Sequence, residues 1–244
     1  MIFQEWIPPD GTMIDYILWA AIVLGGYLLG SIPTGLIVGK LRGGVDIRKH
    51  GSGNIGATNV LRTLGWKISA IVLFGDVMKA AIMVLIGRYL GVPTFIQALA
   101  GVLAVAGHCW SPYIAFRGGK GVAAALGAAF AISPIAALIG LIVMAAVVAI
   151  THYVSLGSLI GTALGVMAII GFVAAGYIGQ GYVLMTFAAV IVFVRHQENI
   201  QRLLSGTERK LGEKAIAAAK SVQRAARKTK SRKVARGTHS GSTR

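Results

Sequence analysis

Residues 68–90 read ISAIVLFGDVMKAAIMVLIGRYL, a run that is apolar apart from Asp76, Lys79 and Arg88. Its length is close to the roughly 20 residues with which a helix crosses about 30 Å of hydrocarbon. Asp76 and Lys79 stand three apart, on one face of a helix, so that each charge neutralises the other inside a membrane. The same apolar character recurs at 14–38, 93–106, 122–132, 135–150, 156–175 and 181–194. The expectation is an all-α, polytopic integral membrane protein with about seven transmembrane helices. Residues 122–132 are the short member: at about 1.5 Å rise per residue they cover about half of the hydrocarbon, so a tilted, re-entrant or wrapped helix is expected there.

Composition agrees. The 244 residues are 55% hydrophobic and 13% charged, with mean hydropathy +0.72, too apolar and too poor in charge for a soluble domain of this length. A β-barrel would show short alternating segments in place of continuous runs of Ala, Ile, Leu, Val and Gly. Many of the 33 glycines are spaced among Ala and Ser along the runs, which suits close approach of helices in lipid. Residues 1–13 carry acids and no Lys or Arg, so no cleaved signal is expected and the first helix stays. Cys109 is the single cysteine and reads as a buried, inert thiol, which excludes a disulfide framework. The eight acids are scattered and no histidines pair at ligand spacing, so neither a metal nor another cofactor is expected.

Lys and Arg sort onto alternate connections. Lys40, Arg42, Arg48, Lys49, Arg62 and Lys67 share one, Arg117 and Lys120 another, and the C-terminal part carries Arg195, Arg202 and more; the opposite side has only Arg88. By the positive-inside rule the N-terminus is external and the C-terminus cytoplasmic. From Thr207 onward the chain turns to Lys, Arg, Ala, Ser and Thr and holds half of its 24 basic residues, so the net charge of +16 mostly describes this tail. Anionic lipid head groups would attract it, whereas it has no aromatic residue on which a base could stack, so no specific nucleic-acid partner is expected.

Three polar clusters fall on the basic side. The first, DIRKHGSGNIGATN at 46–59, spaces Gly51, Gly53 and Gly56 like a dinucleotide fingerprint, but no strand precedes it and Asp76 lies in an apolar run, so the match is a decoy. Its glycines permit close backbone approach to an anion, Ser52, Asn54, Thr58 and Asn59 add short polar groups, and Arg48 adds a planar, permanently charged fork. The second, GHCWSPYIAFRGGKGVAAA at 107–125, lacks the spacing of a nucleotide-binding loop. A glycine turn that feeds an apolar helix still aims backbone N–H groups and a helix dipole at an anion, and Lys120 adds a full charge. The third, RHQENIQRLLSGTERKLG at 195–212, places His196, Asn199 and Leu203 on roughly one side of a helix that continues past the membrane.

Together GSIPTG at 30–35 and these three clusters resemble the bacterial acyl-phosphate:glycerol-3-phosphate acyltransferase family (PlsY) over about residues 14–212. The resemblance implies seven helices and a cytoplasmic-facing site in the bacterial inner membrane. It implies transfer of a fatty acyl group from acyl phosphate to the 1-hydroxyl of sn-glycerol 3-phosphate, giving lysophosphatidic acid and phosphate, the first step of phospholipid biosynthesis. Arg48, Ser52, Lys120, His196 and Asn199 then carry the catalytic roles, and Ser31, Gly53, Asn54, Thr58, Asn59, Gly118, Gly119, Gly121 and Ser158 the substrate-binding ones. A structural glutamate of the third motif corresponds to Glu198 or Glu208. Ala125 is a departure, where Thr is common nearby in the family. Expected partners are acyl phosphate, glycerol 3-phosphate, membrane lipid and the enzyme that forms acyl phosphate.

The implied organisation is a short external N-terminus (1–13), a membrane-embedded acyltransferase domain (14–212) and a basic, disordered cytoplasmic tail (213–244). His50, His108, His152 and His196 all lack an acid five residues later, so the histidine–acid pair of soluble glycerolipid acyltransferases is excluded. His196 is left to bind substrate or take a proton, with the substrate's own phosphate as an alternative acceptor. A phosphate-binding transporter and a scaffold acting through the tail are the competing readings; charges near the mid-membrane, broken helices or inverted repeats would favour the transporter, and the sequence shows only Asp76 and Lys79 and no internal repeat.

Overall fold

The apolar run at 14–38 folds as two helices, α1 (Met13–Gly30) and α2 (Thr34–Gly43), in a computed structural model that describes residues 11–212. Thr12 and Asp15 start α1 with a reciprocal capping box. Ser31 ends it: its N–H and its hydroxyl both donate to Tyr27 O, at 2.9 and 2.7 Å, and Pro33 two residues on has no N–H with which to continue. Reading the run as one segment missed this break.

The remaining helices are α3 (Ala57–Leu64), α4 (Trp66–Tyr89), α5 (Thr94–Cys109), α6 (Val122–Ile132), α7 (Pro134–Thr151), α8 (Val154–Ala174), α9 (Met185–Arg195) and α10 (Gln197–Leu204), and no strand occurs among the described residues. Five helical segments are long and apolar enough to cross a membrane: α1, α4, α5 continued to Ile114, α7 and α8. The stretch Gln180–Arg195 and α10, bent by 58° between them, count as a sixth when the pair is taken as one span, so five or six segments reach full length where about seven were expected, and α6 is the apolar helix that falls short. The described residues up to Glu208 form one compact unit; Arg209 begins a second, of which 209–212 are described and carry no helix. Most of residues 1–13 and the whole tail at 213–244 lie outside the described residues.

The short helix α6 is wrapped by its neighbours. Ala124, Ala125, Gly127, Ala128, Ala129, Ala131 and Ile132 are buried, and Gly127 sits so close to the Val77 carbonyl of α4 that a Cβ there would collide. At its far end Arg88, near the close of α4, donates from Nη1 to Ala131 O at 3.3 Å, a carbonyl that the end of a helix leaves free. Helices α7 and α8 meet through Gly140 and the series Gly157, Gly161 and Gly165; a Cβ on Gly161 would strike Gly140 O and Met144. Small residues every fourth position let the backbones touch where lipid supplies no hydrophobic drive.

Candidate active site

Three helix ends meet at one end of the bundle. Tyr27 of α1 donates from its hydroxyl to Trp110 O at 2.8 Å, and Ser111 Oγ donates to Ser31 O at 2.6 Å, which joins the close of α1 to the close of α5. Arg195, the last residue of α9, donates from Nε to Gly119 O at 3.1 Å and from Nη2 to Gly118 O at 3.3 Å, with its guanidinium 5.7 Å from the Trp110 ring. The loop at 46–59 belongs to the same end, because Ile47, Ile55 and Val60 pack with Ile114, just before the glycine turn.

That loop is organised from within by Asn59. Its amide Nδ2 donates to Ile47 O, His50 O and Asn54 O at 3.2, 3.0 and 2.8 Å, and its Oδ1 accepts from Ser52 N at 2.8 Å. The expectation of Asn59 as a substrate donor is therefore revised: both halves of its amide hold the loop. Asn54 Oδ1 likewise accepts from Gly56 N at 2.8 Å, and Gly51 and Gly53 turn the chain with φ of 61° and 74°. The side chains the loop presents outward include the exposed Arg48, Lys49, His50 and Ser52 and the half-buried Thr58. Arg48 is not a bare fork, since its Nε and Nη2 bind Asp46 at 3.0 and 2.7 Å while its side chain stays 41% exposed. This guanidinium holds the Asp46 carboxyl far below the usual range, and an anion arriving at Arg48 must share it with Asp46.

The glycine turn follows two left-handed residues, Ala115 and Phe116. Gly118 N donates to Cys109 O at 3.1 Å and Gly119 N to His108 O at 2.9 Å, and a Cβ at either position would collide with the end of α5. The expectation that these amides cradle a phosphate is thus corrected: their N–H groups point at α5 and their carbonyls at Arg195. Glycine is required here for close packing. The anion-facing elements that remain are Lys120, Gly121 at φ 85° and the start of α6.

Lys120 donates from Nζ to Asn199 Oδ1. Asn199 Nδ2 donates to Glu208 Oε1 at 2.6 Å, and Arg202 Nε donates to Glu208 Oε2 at 2.8 Å. Burial brings the Lys120 ammonium down to about 8, Glu208 pulling it back up and Arg202 and Arg62 pushing it further down. Arg62 lies on α3, so the first loop and the glycine turn feel each other's charge. Burial raises the Glu208 carboxyl, but the hydrogen bonds from Arg202 and Asn199 outweigh it and keep it below the ordinary value. Both candidate glutamates pair with Arg202, but Glu208 does so at 2.8 Å with 7% side-chain exposure, against 3.5 Å and 88% for Glu198.

His196 is buried just beyond the end of α9, and its Nδ1 is 2.8 Å from Val192 O. A carbonyl only accepts, so Nδ1 carries the proton and Nε2 keeps a lone pair. Ser31 and Ser158 are both buried, and their hydroxyls donate to Tyr27 O and Val154 O of their own helices, at 2.7 and 2.8 Å. Each hydroxyl proton is thus engaged within its own helix, while the oxygen keeps lone-pair capacity to accept. Sequence reasoning missed Ser155, whose buried hydroxyl lies near enough to Glu208 to help hold its carboxyl below the ordinary value. It also missed Arg195, whose task depends on contacts that no local pattern announces.

From Val122, directly after the turn, a shallow apolar cleft opens between α6, α7 and α8, lined by Val122, Ala125, Ala129, Gly140, Gly161 and Gly165. The turn that carries Lys120 thus adjoins an apolar space.

Comparison with known proteins places this arrangement. The family model described as glycerol-3-phosphate acyltransferase matches residues 20–206. A glycerol-3-phosphate acyltransferase of Clostridioides difficile (strain 630) is 45% identical over 207 residues, 83% of this chain and 98% of that protein. One of Thermus thermophilus is 43% identical, covering 82% and 98%. A crystal structure of PlsY, an integral membrane glycerol 3-phosphate acyltransferase, in its glycerol 3-phosphate form has TM-score 0.74 and 38% identity over 82% of this chain and 98% of that one. The lysophosphatidic acid form gives TM-score 0.72 at the same identity, over 80% and 96%.

Proposed function

The chain belongs to the glycerol-3-phosphate acyltransferase family, and from that premise we propose that acyl phosphate is its donor and that the site faces the cytoplasm of a bacterial inner membrane. It is a multi-pass membrane enzyme that acylates glycerol 3-phosphate; the transporter reading finds no support in the comparisons. Residues 14–212 would hold the whole activity, the N-terminus would lie outside, and the tail would serve as an accessory in contact with anionic lipid.

The observation that carries the reading is the Lys120–Asn199–Glu208 chain at the start of α6, on the end of the bundle that also holds Arg48, with the apolar cleft opening at Val122. Two phosphate-bearing reactants bring up to about four negative charges together. Each pair of unit charges at 4 Å costs about 4 kcal/mol at an effective dielectric of 20, so positioned cations are the first requirement. In this reading Lys120 and the first turn of α6 take the phosphate of glycerol 3-phosphate. Arg48, with Ser52 and Thr58 nearby, takes the phosphate of the donor, and the acyl chain lies in the cleft.

The 1-hydroxyl oxygen attacks the acyl carbonyl, a carbon–oxygen ester bond forms, and the bond from acyl carbon to phosphate oxygen breaks, the electron pair leaving with phosphate. The hydroxyl proton goes to the departing phosphate. No covalent enzyme intermediate is needed, because the mixed anhydride is already activated. His196 suits a glycerol hydroxyl, from which its Nε2 lone pair accepts, better than it suits phosphate.

Purified protein in detergent with glycerol 3-phosphate and, in turn, acyl phosphate, acyl-CoA and acyl-carrier protein tests the donor, with lysophosphatidic acid measured by mass spectrometry. Product with acyl phosphate alone is expected; product with a thioester and none with acyl phosphate overturns the donor assignment.

A further inference from the structure

Asp76, Lys79 and His108 are buried titratable side chains that the reaction above leaves unused, and they lie together. Lys79 Nζ is 2.8 Å from Asp76 Oδ1 and donates to Ile32 O at 2.8 Å. His108 Nδ1 stands 3.5 Å from the same Oδ1. The far edge of the imidazole faces the glycine turn: a Cβ built on Gly119 would land on His108 Nε2, and Gly119 N donates to His108 O at 2.9 Å. One carboxylate thereby joins three segments, namely the break between α1 and α2, the end of α5, and the turn that carries Lys120.

A buried ion pair is often exchangeable for apolar residues of similar volume with no loss of stability. What apolar residues cannot supply is direction. His108 Nδ1 and Asp76 Oδ1, buried with no other hydrogen-bond partner, face each other at 3.5 Å without hydrogen-bond geometry, so the ion-pair contact confines the ring, and the ring edge sets how closely Gly119 can approach α5. The residue after Gly119 is Lys120, so the seat of the turn fixes where the ammonium emerges.

We propose that Asp76, Lys79 and His108 form a positioning cluster for the acyl transfer. Asp76 orients the His108 ring, the ring seats Gly119, and the seated turn aims Lys120 at Asn199 and at the phosphate of glycerol 3-phosphate. The proposal rests on the reading of Lys120 as a ligand of that phosphate.

The contact between ring and glycine makes a reciprocal test. Gly119 lies outside the left-handed region, so alanine adopts its backbone without strain and only the Cβ collision remains. Asparagine at 108 keeps a polar group toward Asp76 but removes the ring edge, which opens the space an alanine methyl at 119 would fill. KM for glycerol 3-phosphate, kcat at saturating acyl phosphate and Tm are measured on the full chain in detergent for Gly119→Ala, His108→Asn, the double variant and Lys120→Met. Each single variant in the cluster is expected to raise KM at least tenfold with kcat within threefold; Gly119→Ala is also expected to lower Tm, because its methyl collides with the buried His108 ring, and the double variant to recover it. The double variant is expected to return KM to within threefold of wild type.

An unchanged KM in either single variant, or a double variant whose defect is the product of the two, overturns the proposal. Where the double variant fails to purify folded, the pair Asp76→Leu/Lys79→Met replaces it: a raised KM at unchanged Tm supports the cluster, and wild-type kinetics overturn it. Lys120→Met separates the two claims. An unchanged KM there overturns the reading of Lys120 itself, whereas a raised KM beside normal cluster variants overturns the cluster alone.

Discussion

Replacing Glu208 by glutamine keeps the shape of the side chain and removes its charge, which tests how the third cluster governs Lys120. Glu208 accepts from Asn199 at 2.6 Å and from Arg202 at 2.8 Å, and it supports the charged form of a lysine that burial has brought down to about 8. In the wild type the ammonium is lost as pH rises through that value, so kcat/KM for glycerol 3-phosphate is expected to fall on an alkaline limb near pH 8. Substrate phosphate titrates near pH 6 and shapes only the acid side. Glutamine withdraws the carboxylate and leaves Arg202 and Arg62 to push in the same direction, so the limb moves to lower pH. For a displacement of one pH unit, the charged fraction at pH 7 drops from about 90% to about half and at pH 9 by about ninefold, equivalent to about 1.4 kcal/mol. The weakened hydrogen bonds add about 1 kcal/mol, mainly to stability, since Arg202 is partly exposed. The assay is kcat/KM from pH 5.5 to 9.5 at saturating acyl phosphate, with Lys120→Arg as a control whose guanidinium stays charged and whose alkaline limb vanishes. A wild-type profile flat to pH 9.5, or a Glu208→Gln limb that stays or rises, would refute the reasoning.

Four further outcomes follow from the geometry. Gly118→Ala drives a Cβ into the His108 and Cys109 carbonyls and is expected to lower Tm by several degrees as well as activity, whereas an anion-cradle role would leave Tm unchanged. Asn59→Ala removes four hydrogen bonds from the first loop and is expected to lower activity at least tenfold, with faster proteolysis within residues 46–59 as its physical mark. Arg48→Lys retains charge but loses the planar fork that binds Asp46, and KM for acyl phosphate is expected to rise about tenfold. Deleting residues 215–244 is expected to leave kcat in detergent within twofold while weakening retention on anionic vesicles, read by flotation.

How much of this was legible in the sequence depends on the range of the interaction. Residues 68–90 announce a membrane helix because hydropathy is local, and Asp76 and Lys79 announce a pair because i,i+3 spacing is local. The break after Gly30 was also in plain view at Ser31 and Pro33, but the apolar residues on both sides hid it inside one hydropathy run. Partners that depend on the exact course of the backbone were not readable, even over two residues. Arg48 shows its charge in the sequence, yet its engagement by Asp46 depends on how the short helical turn at Ile47–Lys49 directs both side chains. Glu208 could not be told from Glu198 until the bend after Arg195 brought Asn199 beneath the glycine turn.

The glycines of 118–121 show why a motif can be found correctly and explained wrongly. Two properties of glycine produce the same letters: access of backbone N–H groups to an anion, and absence of a side chain where chains must touch. At Gly118 and Gly119 the second holds, because both amides already donate to α5 and both carbonyls already accept from Arg195. The turn is braced on both faces, by His108 and Cys109 on one and by the Arg195 guanidinium on the other. Such bracing is what lets Lys120 be presented at a fixed place from a loop at the membrane edge, where a flexible glycine turn would otherwise lose ordering entropy on each binding event. Rigidity of the turn and the charge of the one lysine it carries therefore belong to a single device, in which the glycines contribute by contact and Lys120 by charge.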